Sequence, residues 1–126
     1  MGKAVPDAIN DLLLAGIATG DRICVCSAEP TTATEAITTY ALAVATVTAG
    51  DGNGDFTIAN GDTSGRKVTM TSQADVDIDS DGDATHVAVA KNGENLKHVT
   101  TCTTQTLTSG GTVTIPAYKH EVLDPT

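Results

Sequence analysis

Residues 74–98 read ADVDIDSDGDATHVAVAKNGENLKH, and this stretch decides the fold class. Val76 and Ile78 alternate with Asp75, Asp77 and Asp79, the period of a strand with one dry and one wet face. Asp81-Gly82 and Asn92-Gly93 are dipeptides that two-residue hairpins prefer, because both central residues need positive φ. With both turns tight, Asp79 faces Ala84, Asp77 faces His86 and Val76 faces Val87. Beyond the second turn Lys91 faces Glu94, Val89 faces Leu96 and Val87 faces His98. This register predicts a core face of Ala74, Val76, Ile78, Val87, Val89 and Leu96. Asp75, Asp77, Asp79 and His86 fall on the opposite face.

Outward from this meander the chain stays β on both sides except at its start. Arg22 to Ser27 puts Ile23 and Val25 against Cys24 and Cys26, so neither face is wet and the strand is central. Residues 28–36 read as a loop and Ile37 to Thr48 as a strand, with helix as the competitor there. Residues 49–65, AGDGNGDFTIANGDTSG, form the longest polar stretch and read as a surface loop ahead of a strand at Arg66 to Thr71. The last hairpin is Thr103 to Thr108, a Ser109-Gly110-Gly111 turn and Thr112 to Ile115, where Pro116 ends the strand or marks an edge. At the N-terminal side Pro6 and Asp7 suit a helix start, and Ile9, Leu12, Leu13 and Ile17 recur at helical spacing. Gly20 then supplies the stop. The helix is predicted over residues 6–18, with an apolar stripe that its own sheet or a neighbouring subunit must cover.

The expected architecture is one mainly β domain over residues 1–126. It is a β-sandwich or jelly-roll-like barrel of about seven to eight short antiparallel strands with an N-terminal amphipathic helix. At this length roughly two thirds of the unfolded surface can be buried without staples. The core is drawn from Ala, Val, Ile and Leu, since the chain has no Trp, one Phe and two Tyr, beside 22 threonines. A net charge of −9 disfavours nucleic acid and anionic lipid as partners, because both are held by cations. Too few aromatics remain for the stacking platforms that sugars and single strands use. No stretch reaches transmembrane length. Another protein is the expected partner.

Chemical motifs are sparse. Asp77-Ile78-Asp79-Ser80-Asp81-Gly82 matches the first half of an EF-hand loop, but position 12 is Ala88. Asp51-Gly52-Asn53-Gly54-Asp55 repeats the start, but Phe56 stands where the turn glycine belongs. Both read as hairpin turns and a solvated acidic face. Cys24, Cys26 and Cys102 fit neither a redox pair nor a zinc knuckle and read as buried small hydrophobes. His86 and His98 fall on opposite faces of the sheet, and with His120 they make no ligand set by spacing. Ser27, Ser64, Ser72, Ser80 and Ser109 lie in no nucleophile elbow. Gly61 to Gly65, followed by Arg66-Lys67, lacks the ending of a phosphate loop and reads as a turn into a strand. No catalytic residue, metal ligand or cofactor is assigned, and the chain is not expected to be an enzyme.

Several short segments together resemble a family of small proteins encoded among the structural genes of tailed bacteriophages. They are PDAINDLLLAGIATG at 6–20, Cys26-Ser-Ala-Glu-Pro-Thr-Thr32 with Thr34-Glu35-Ala36, Asp62-Thr-Ser-Gly-Arg-Lys67, Ala84-Thr-His86 and Val122-Leu-Asp-Pro125. The resemblance implies a virion component, foremost a capsid decoration or cement protein on the outer capsid surface. Its partner would be the major capsid protein, and the protein would self-associate, with a trimer as one form. Both chain ends are expected against a neighbouring chain. The alternatives are a tail or fibre component for host attachment and a calcium-dependent protein-binding module.

Overall fold

The computed structural model describes residues 6–123. In chain order these form α1 (Asp7–Ala18), β1 (Arg22–Cys26), a π-helical turn (Glu35–Thr39), β2 (Ala41–Thr46), β3 (Phe56–Asn60), β4 (Arg66–Met70), β5 (Gln73–Asp77), β6 (Gly82–Ala90), β7 (Leu96–Leu107), β8 (Thr112–Ile115) and β9 (Tyr118–Val122). The strands pair antiparallel as β2-β1-β6-β7, β3-β4-β9 and β5-β8, a mainly β, sandwich-like arrangement with one N-terminal helix. The chain ends expected against a neighbour, including Asp124 and Pro125, lie outside the described residues.

β1 is central, as its two apolar faces require. It pairs with β2 and with β6, and its faces feed two separate clusters. Ile23 and Val25 join Val87, Val89, Phe56, Val68, Met70, Val76, Ile78 and Ile115 in the main core between the sheets. Phe56, Met70 and Val68 are fully buried there, and each such side chain contributes about 1.5–3 kcal/mol of burial free energy. Cys24 and Cys26 face the other way, onto Ala33, Ala36, Ala88 and Ala90. The π-helical turn lies over that outer face. It begins at a capping arrangement in which Thr32 Oγ1 accepts from the Glu35 N–H (3.1 Å), while Glu35 accepts from the Thr31 N–H (2.8 Å) and hydroxyl (2.6 Å). Ile37 to Thr39 are therefore helical, and the strand expected from Ile37 starts at Ala41.

Strand pairing departs from the expected hairpins in several places. β5 does not turn back onto β6 at Asp81-Gly82. Val76 pairs with Val113 and Asp77 with Thr112 on β8, whereas His86 lies opposite Cys26 and Thr101. After β5 the chain crosses to β2, where Ile78 bridges Ala43 and Leu42 O accepts from the Asp79 N–H (2.7 Å). The reason is tertiary: β1 is apolar on both faces and needs β6 as its second neighbour, and that pairing overrides a local turn preference. The Asn92-Gly93 turn does form, with Gly93 at φ +79, but the Lys91 N–H reaches Asn95 O (2.9 Å). The loop is thus one residue longer than expected. Val89 pairs with His98, Val87 with Thr100 and Ala90 with Leu96, which moves Leu96 into the outer cluster. Ala74, expected in the core, is exposed.

The turn at 109–111 also forms, through the Gly111 N–H on Thr108 O (3.2 Å), but β7 and β8 enter different sheets. β8 ends at Ile115, immediately before Pro116. β3 lies inside the stretch expected as a loop, and β9 follows the proline beyond the last expected strand. Together with β4 they form the second sheet, and that sheet carries α1.

Candidate functional site

Helix α1 starts at Pro6, whose carbonyl accepts from the N–H groups of Ile9 (2.9 Å) and Asn10 (3.2 Å). It stops before Gly20, which lies so close to the sheet that a Cβ there would stand 2.4 Å from Val89 Cγ1. One stripe of the helix, Asn10, Leu14 and Ala18, is buried against the domain, on β4, β3 and β7. Arg66 on β4 fastens it by a two-pronged pair, Nε to Asp11 Oδ1 (2.7 Å) and Nη2 to Asp11 Oδ2 (3.3 Å). A third prong, Nη1, reaches Asn60 Oδ1 (2.8 Å) and ties the helix to β3 as well.

This anchoring fixes the rotation of the helix and leaves a second apolar stripe outside. Ile9, Leu12 and Leu13 are 49%, 70% and 60% exposed, and a Cβ added at Gly16, one turn on, would meet nothing within 4 Å. Positions 9, 12, 13 and 16 fall at i, i+3, i+4 and i+7, the spacing of a helix face that meets another surface. Leu123, just after β9, is also exposed. The stripe expected from the sequence is therefore split: Ile17 is half-buried by the domain, while Ile9, Leu12 and Leu13 are uncovered. A scatter of single exposed Leu residues means little, but three in register on one rigid helix form a candidate docking face.

Four carboxylates in and beside the acidic turns, Asp51, Asp55, Asp81 and Asp83, accept from the protein's own donors. Asp55 Oδ2 accepts from the Thr48 N–H (2.7 Å), and its Oδ1 accepts from Thr71 Oγ1 (3.0 Å) and Gln73 Nε2 (3.2 Å). The Thr48 N–H and these side-chain donors hold its carboxyl below the ordinary aspartate range. Asp51 Oδ1 accepts from the Ile58 N–H (2.8 Å), Asp81 Oδ1 from the Ser109 N–H (2.6 Å) and Asp83 Oδ1 from Thr106 Oγ1 (2.8 Å). Among the described residues no group of three or more His, Cys, Asp or Glu is arranged to hold a metal ion. Residues 61–65 form the turn between β3 and β4, with Asp62 paired to Lys67 (2.6 Å) and Lys119.

Cys24 and Cys26 are buried hydrophobes. Burial pushes their thiols up to about 12 and about 11, with Cys26 adding to the shift at Cys24 and Cys102 adding to that at Cys26. Cys102 is only partly buried. It lines two adjoining clefts of about 220 and 160 Å³ between β7 and the β8–Pro116 segment, walled mainly by Val87, Ile115 and other apolar groups.

The histidines are placed differently from what spacing suggested. His86 sits on the outer face with its Nδ1 beside Thr85 Oγ1 (2.8 Å). His98 lies on the opposite face, as expected, but there its ring meets His120 of β9, with centroids 4.8 Å apart, and Tyr118, at 6.1 Å. Sequence reasoning missed this cluster because it ended the sheet at Pro116. The alternation of Tyr118 and His120 was the available signal. No protein-family model matches the chain, and no curated protein or solved structure matches it.

Proposed function

We propose that this protein is a structural component of a tailed-bacteriophage virion, a decoration or cement protein bound to the outer surface of the capsid shell. Its partner in this reading is the major capsid protein, and its role is binding, not catalysis. The observation that carries the reading is the uncovered stripe Ile9, Leu12 and Leu13 on a helix clamped to a small acidic sandwich. The net charge of −9 suits a protein that works outside the shell, away from the packaged genome.

The exposed parts of these three side chains, 49%, 70% and 60%, amount to about 1.8 whole side chains. Covering them yields roughly 3–5 kcal/mol before costs. Losing free translation and rotation costs about as much or more, so one helix alone holds weakly. Several copies presenting their helices together hold far better through effective concentration. Self-association, with a trimer at three-fold positions as one form, is therefore part of the proposal.

The test is co-sedimentation with undecorated capsids of the matching phage. Saturable binding that is lost in the Leu12→Glu/Leu13→Glu variant supports the reading. Absence of binding by the wild-type protein rejects it and directs attention to the tail or fibre.

A further inference from the structure

The fold brings two metal-ligating side chains, His98 and His120, together across two of its sheets. His98 stands on β7 opposite Val89, and His120 stands on β9 opposite Val68. β7 and β9 share no ladder, so the contact closes a seam that backbone hydrogen bonds leave open. Two buried polar atoms in this cluster, His98 Nδ1 and Tyr118 OH, have no hydrogen-bond partner. Leaving such groups unmet is costly, so the seam favours something that satisfies them.

We propose that His98 and His120 bind a divalent transition-metal ion of the Zn²⁺ type, which staples β7 of one sheet to β9 of the other. The geometry permits it. An ion bonded to an imidazole nitrogen lies about 3.2 Å from the ring centre, given a metal–nitrogen distance of about 2.0–2.1 Å. Two rings with centres 4.8 Å apart then subtend roughly 100° at a shared ion, near the tetrahedral angle. The rings are tilted by 58°, not stacked flat.

The chemistry of the donors agrees. His98 Nδ1 is buried without a hydrogen-bond partner, so that nitrogen is not engaged elsewhere in the fold. Imidazole nitrogen selects zinc, copper or nickel over calcium or magnesium, which take oxygen. Tyr118 lies beside the pair, its ring centre 6.1 Å from that of His98, and the other coordination positions are left to water.

The experiment is a Zn²⁺ titration of the whole protein, read by calorimetry and by imidazole nitrogen resonances in NMR. The expected result is saturation at one ion per chain, with the His98 and His120 signals shifting and the His86 signal unmoved. His98→Gln and His120→Gln should each weaken binding by about tenfold or more, while His86→Gln leaves it unchanged. The NMR readout on wild-type protein stands even if a variant fails to fold. Absence of saturation, shifts confined to His86, or binding that disappears in Cys102→Ser while both histidine signals stay fixed would overturn the proposal.

Discussion

Replacing Asp55 with alanine should destabilise the domain by about 2–4 kcal/mol. One carboxylate here receives the Thr48 N–H, the Thr71 hydroxyl and the Gln73 amide, so it holds together the segment after β2, the end of β4 and the start of β5. A hydrogen bond to a charged group is worth about 1.5–3 kcal/mol, and three would exceed the estimate if they were dry. Asp55 is only partly buried, so water replaces some of what is lost and brings the figure down. Urea denaturation of wild type and variant measures the difference directly, provided the slope is unchanged.

The pH dependence has a definite sign. The folded carboxyl titrates below the ordinary aspartate value of about 3.9, so its contribution is complete above that value. It is lost as pH falls through the lower, folded value. The gap between wild type and Asp55→Ala should therefore be constant near neutrality and close in strong acid. If instead the variant is as stable as wild type at neutral pH, and calcium stabilises only the wild type, Asp55 is a calcium ligand and the account of the loop is wrong.

Three further outcomes are expected. Asn10 is buried with both amide atoms unpartnered, so Asn10→Leu should stabilise the fold by roughly 1–2 kcal/mol, seen as a higher urea midpoint; a large loss would mean that the amide has an essential partner. Iodoacetamide at pH 8 should label Cys102 well before Cys24 and Cys26, whose thiols are pushed up to about 12 and about 11; equal labelling of all three in the folded state would refute their burial. In Leu12→Ser/Leu13→Ser, about 1.3 exposed side-chain equivalents are removed. Capsid affinity should then fall by roughly 30- to 700-fold, corresponding to about 2–4 kcal/mol, while the urea midpoint hardly moves.

What the sequence made legible was local. Helix α1 followed from Pro6 and the spacing of Leu12, Leu13 and Ile17, and the central place of β1 followed from its two apolar faces. Turn positions at 92–93 and 109–111 were readable from glycine. The partner of each strand was not readable, because a turn dipeptide fixes where the chain reverses but not which sheet it joins. Val76 is equally at home against Val87 or Val113, and only the needs of β1 decide between them. β3 was hidden because Phe56 and Ile58 stand among glycines and aspartates, and their burial becomes evident only once β4 is beside them. The candidate docking face was half legible. Its residues were in view, but which stripe stays outside depends on Arg66 gripping Asp11, 55 positions away along the chain.

The central claim is that α1 docks this domain onto a capsid shell. An image reconstruction of undecorated capsids saturated with the protein tests it most directly. The account predicts symmetric extra density outside the shell, fitted by the sandwich with Ile9, Leu12 and Leu13 turned toward the capsid protein. Shells without added density, or density in which α1 faces solvent, would contradict it.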